Sequence, residues 1–112
     1  MRRSWKPWWA LPSGLAVVLA APVGSAIPGD IPDPVKLANL VRQDCGSCHG
    51  LTLKGGLGKP LTASELARWD RDQLTYIILD GVPGTPMPPW RTLLTEPEAR
   101  WIADNLKSGE LQ

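Results

Sequence analysis

The sequence predicts an all-α domain of three to four helices, and three observations lead there. Apolar side chains recur at helical spacing in segments starting near residues 34, 70 and 95. Each segment follows a residue able to cap a helix, namely Asp33, Asp70 and Thr95. No stretch alternates as a convincing strand, and no internal repeat is present.

The elements follow in order. Residues 27–33 are proline-rich and aperiodic, which reads as an extended N-terminal arm. Asp33 followed by Pro34 suits a cap and first turn. A helix is expected from about Pro34 to Asp44, with Leu37, Leu40 and Val41 on one face. Leu51 to Pro60 is patternless and holds Gly55, Gly56 and Gly58, so it reads as a loop. Thr62 and Glu65 fit the capping box of a short helix reaching Trp69. Asp70 opens the next helix, with Leu74, Ile77 and Ile78 as its apolar positions and Gly81 as its stop. Pro83, Pro86, Pro88 and Pro89 exclude helix and central strand from Val82 to Trp90. Thr95 and Glu98 form another capping box. The last helix then runs to about Lys107, with Ala99, Ile102, Ala103 and Leu106 on one face.

The start of the 112-residue chain has a different character. Arg2, Arg3 and Lys6 precede a largely apolar, uncharged run from Trp8 to Ala21, and Gly24, Ser25 and Ala26 follow. That is the three-part pattern of a secretory signal peptide, with cleavage expected near Ala26. The run contains Pro12 and is shorter than the ~20 residues that span a bilayer. An uncleaved amphipathic anchor is the alternative reading. The expected divisions are a leader over 1–26, the arm over 27–33 and one domain over 34–112.

Loss of the leader changes the charge. Removing Arg2, Arg3 and Lys6 takes the basic count from 12 to 9 while all 11 acidic residues remain, a shift from +1 to −2. That balance excludes electrostatic nucleic-acid binding as a guiding idea. The remaining 86 residues, 27–112, make a core that is marginal without a staple.

Cys45-Gly46-Ser47-Cys48-His49 offers one. The C-x-x-C-H spacing is the signature of c-type haem attachment. Two thiols two residues apart can reach the two vinyl groups on one side of a porphyrin. The following His then stands beneath the iron. A Cys45–Cys48 disulfide would leave the adjacent His without a purpose. A thioredoxin-like pair needs a βαβ context that is not visible. A structural zinc site needs four ligands, and the chain has two Cys and one His.

Gly84-Thr85-Pro86-Met87-Pro88-Pro89-Trp90 is the second feature. Met87 is the only methionine after the leader, and His49 is the only histidine in the chain. If the iron takes two side chains of the usual kinds, they are His49 and Met87. A thioether favours ferrous iron and raises the potential. The competing reading is a methionine filling a core gap. The prolines make this loop a poor place for ordinary core. An iron closed by His and Met leaves no position for substrate, so electron transfer rather than enzyme chemistry is expected.

These motifs, together with the closing Thr-x-x-Glu helix, resemble class I cytochrome c over most of the chain after the leader. The resemblance implies a fold of three or four helices around one covalent haem, with first and last helices crossing. It gives Trp101 a packing role at that crossing. Leu37 and Val41 stand where the family often has Gly and an aromatic, which implies a looser crossing. It gives Pro60 the carbonyl that orients the proximal His, and offers Trp69, Tyr76 and Arg91 as haem-propionate partners. A narrower likeness, over Cys48 to Gly58 and Gly84 to Trp90, is to small periplasmic cytochromes encoded beside the cytochrome cd nitrite reductase of denitrifying bacteria. This implies a periplasmic monomer that takes electrons from a quinol-oxidising donor and passes them to nitrite reductase. The alternative it implies is a redox role in maturing that enzyme's d-type haem.

Overall fold

The computed structural model describes residues 31–112, together with Gly14 and Gly24. The leader, its cleavage near Ala26 and most of the arm lie outside the described residues. Among the described residues there are helices and loops and no strands. No described helix is long and apolar enough to cross a membrane.

Helix α1 (Pro34–Leu40) starts where Asp33 Oδ1 accepts hydrogen bonds from the Val35 and Lys36 amides at 3.0 and 3.2 Å. The helix expected to end at Asp44 goes further. It passes through a π-helical turn, Val41–Cys45, and continues as α2 (Gly46–His49). The Gly46 amide reaches back five residues to the Val41 carbonyl. Such a turn inserts one residue into the helical register, so side chains beyond it point elsewhere than the α1 stripe would dictate.

Helix α3 (Ala63–Leu66) is shorter than the spacing predicts. Thr62 caps it, but Glu65 does not return the second bond of the box. Its carboxylate pairs instead with Arg68 at 3.1 Å. The Lys107 ammonium, reaching across from the last helix, takes the carbonyls of Leu66 (3.2 Å) and Trp69 and so closes the turn.

Helix α4 (Arg71–Asp80) has a full capping box between Asp70 and Gln73, at 2.7 and 3.0 Å. It stops at Gly81, whose φ of +68° suits a residue without Cβ. Helix α5 (Glu96–Ser108) has the expected Thr95–Glu98 box, with Pro97 in its first turn. It ends on left-handed Gly109.

Helix α5 is the hub, packing on α1, α3 and α4. Ala99, Ile102, Ala103 and Leu106 are all buried, as their spacing predicts. Leu37 and Val41 are fully buried too, and α1 packs on α5. Ala99 and Ala103 are fully buried in the same core cluster. Trp101 is half-buried and packs against this core. Each Leu or Ile buried here is worth about 1.5–3 kcal/mol. Ion pairs between α4 and α5, such as Arg100–Asp72 at 2.8 Å, lie on the surface and add little.

Candidate haem site

Residues from every helix except α1 face one cavity of about 1070 Å³. It is larger than the ~300–1,000 Å³ typical of small-ligand sites. Cys45, Cys48, His49 and Met87 all line it. Its other walls are mostly apolar, with Leu66, Ile77, Ile78 and Ile102 among them. That explains why Ile77 and Ile78 are only half-buried despite their helical spacing. They face the cavity, while Leu79 and Thr75 on the same helix fill the core.

The π turn and α2 position the attachment motif. Both cysteines are free thiols and half-buried. Burial, reinforced by the neighbouring Asp44 carboxylate, pushes the Cys45 thiol up to about 11. That is the reverse of the acidic thiol expected of a redox-exchange pair. No group of three or more His, Cys, Asp or Glu side chains comes together as a metal site among the described residues.

The loop after His49 folds back on the motif through its backbone. The Gly55 amide donates to the His49 carbonyl at 2.8 Å, and the Gly58 amide to the Cys48 carbonyl at 2.7 Å. The loop is pinned to the core by Leu53, which is 1% exposed and holds a left-handed φ of +60°. Gly58 lies flat on the imidazole, since a Cβ there would come within 2.7 Å of the His49 ring.

The His49 Nδ1 lies 2.7 Å from the carbonyl oxygen of Lys59. A carbonyl only accepts, so Nδ1 carries the proton and donates. The lone pair of the neutral ring is then on Nε2, the nitrogen available to a metal. The acceptor differs from the expected Pro60 carbonyl by one residue. Pro60 lines the cavity, and its ring keeps Lys59 out of the helical region, which fixes the direction of the Lys59 carbonyl.

Of the other expected contacts, Trp69 lines the cavity. Tyr76 and Arg91 are not among the residues that line it. Tyr76 is 52% exposed on α4. Arg91 donates from Nε and Nη2 to Asp80 Oδ1 at 2.9 and 2.7 Å. The cavity wall carries two cationic side chains, Lys59 and Arg68, and Arg68 stacks 5.7 Å from the Trp69 ring centroid and pairs with Glu65. Trp90 was also missed as a wall residue. Its place directly after the Pro-Met-Pro-Pro run was the available signal.

These residues fit a haem. Two thiols, one imidazole with a directed Nε2 lone pair and one thioether line a single apolar cavity. When bound, such a group supplies a one-electron iron couple. The chain's part would be to hold it and exclude water.

A family described as cytochrome c oxidase, cbb3-type, subunit III matches residues 32–105. Cytochrome c55X of Paracoccus denitrificans is 54% identical over 101 residues, covering 88% of this chain and 97% of that one. Cytochrome c55X of Pseudomonas aeruginosa is 45% identical over 105 residues, covering 91% and 87%. Among solved structures, the c-type cytochrome NirC aligns with a TM-score of 0.69 at 48% identity, over 71% of this chain and 98% of that one. Dihydro-heme d1 dehydrogenase NirN in complex with DHE aligns with a TM-score of 0.58 at 33% identity. That alignment covers 62% of this chain and 15% of NirN.

Proposed function

The chain belongs to the c-type cytochrome family matched over residues 32–105, which carries covalent haem c, and on that premise we propose that it is a periplasmic single-electron carrier with His49 and Met87 as axial ligands, serving nitrite reductase. The observation that carries this reading is the placement of Cys45, Cys48, His49 and Met87 around one apolar cavity, with His49 Nδ1 committed to the Lys59 carbonyl. With both axial positions filled from the chain, no place is left for a substrate, so the protein is a carrier and not an enzyme. The likeness to NirC supports the link to nitrite respiration.

The test is a spectrum and redox titration of the purified holoprotein. A weak far-red methionine-to-iron band, a reversible one-electron couple and no carbon monoxide binding are expected. Met87→Ala lowers the potential and opens the iron to carbon monoxide. An unchanged potential would place the ligand elsewhere, with Lys54 and Lys59 the first to examine.

A second reading has its own support in the likeness to NirN, a dihydro-heme d1 dehydrogenase. In it the chain exchanges electrons during maturation of a d-type haem. A strain lacking this chain would then hold nitrite reductase without that haem, and normal cofactor content in the strain would exclude this reading.

A further inference from the structure

We propose that Thr85 is the positioning residue for Met87, its hydroxyl bracing the loop that presents the thioether to the cavity. The proposal deepens the assignment of Met87 as axial ligand and rests on it.

The loop's supply of hydrogen-bond donors is the starting point. Between Val82 and Pro89 the prolines at 83, 86, 88 and 89 have no amide hydrogen. Only Val82, Gly84, Thr85 and Met87 can donate from the backbone. The Val82 amide donates to the Met87 carbonyl at 3.2 Å, and the Thr85 amide donates to the Val82 carbonyl at 3.2 Å. The Thr85 hydroxyl does the rest. It donates to the Val82 carbonyl at 2.7 Å and accepts from the Met87 amide at 3.3 Å. One oxygen therefore bridges Val82 and Met87, next to the backbone bond that joins the same two residues. Gly84, the remaining donor, sits in open space.

The loop is otherwise lightly held. Thr85, Pro86 and Pro88 are exposed, and Met87 is half-buried. The end of α4 approaches it closely, and a Cβ on Gly81 would lie 2.6 Å from the Met87 carbonyl oxygen. That contact fixes the carbonyl side of Met87. The Thr85 hydroxyl fixes the amide side. Both sides of the Met87 backbone are thus determined, and the direction of its side chain follows.

A thioether is a weak ligand, so a small loosening of the loop changes how often it leaves the iron. Thr85→Val removes the hydroxyl and keeps the branched shape, leaving the Met87 amide to water and the Val82 carbonyl with only the backbone amide of residue 85. The loss of one bridging hydroxyl should raise the methionine-off population about tenfold. Thr85→Ser keeps the oxygen and should restore the native behaviour.

The experiment compares wild type, Thr85→Val, Thr85→Ser and Met87→Ala holoproteins. It reads the far-red methionine band and the rate of carbon monoxide binding to the ferrous form. Expected are a weakened band and about tenfold faster binding in Thr85→Val, native values in Thr85→Ser, and unhindered binding in Met87→Ala. Thr85→Ala serves the same purpose should the valine methyl crowd Pro86. Wild-type values in both Thr85→Val and Thr85→Ala, while Met87→Ala binds freely, would overturn the brace and leave the ligand assignment standing. Identical spectra in wild type and Met87→Ala would overturn the ligand assignment, and the brace with it.

Discussion

The two loops that contribute to the cavity wall are built on different plans. The His49 side, residues 50–60, is held by backbone bonds to the motif itself, by the buried Leu53 and by Gly58 against the imidazole. The Met87 side, residues 82–90, is held by proline stiffness and by the bonds around Thr85. Its side chains are largely exposed. One proposed ligand is therefore fixed by the core of the fold, while the other sits on a local device that can be altered without disturbing the core. For the proposed carrier, this puts the adjustable part of the potential on the methionine side.

Three substitutions would break or sharpen that contrast. Leu53→Ala removes the anchor of the His49 loop and should cost about 2–5 kcal/mol, read by guanidinium unfolding of the holoprotein. A cost below about 1 kcal/mol would mean the loop is held by its backbone bonds alone. Gly58→Ala places a methyl within 2.7 Å of the imidazole and should cost about 1–3 kcal/mol. It should also disturb the bond from Nδ1 to the Lys59 carbonyl, visible as a shifted ring-proton resonance. An unmoved resonance would show that the ring has room the packing denies. Pro86→Ala, on the other side, should cost only about 0.4–1 kcal/mol, through the freer unfolded chain. A larger loss in thermal unfolding would make the methionine loop a structural element and erase the distinction.

Much of this arrangement was legible in the sequence because it depends on local rules. The caps at Asp33, Asp70 and Thr95 and the buried face of α5 follow from spacing alone. So does the irregular loop around Met87, since four prolines leave it no other choice. What escaped depends on which backbone atom meets which side chain. A motif identifies His49 as a ligand, but its partner across ten residues is a carbonyl, and every residue has one. Lys59 could not be told from Pro60 without coordinates. The pairing of Arg91 with Asp80 escaped because Asp80, eleven residues earlier, is brought to it only by the turn after α4. Arg68 escaped for the converse reason: α3 stops early and turns it toward the cavity wall. The π turn at Val41–Cys45 has no composition signal, because its extra residue is imposed by what packs on either side.

Lys107 joins two parts of the molecule that are distant in sequence. Its ammonium, near the end of α5, holds the Leu66 and Trp69 carbonyls at the corner that forms one wall of the cavity. In hydrogen-exchange terms, the tail of the chain and that corner form one opening unit. Fraying of the last turn of α5 releases both carbonyls at once, so the amides of the final turn and those around Leu66 should become exchangeable together. The rate at which solvent enters from that side is then set by the stability of the chain's last helical turn.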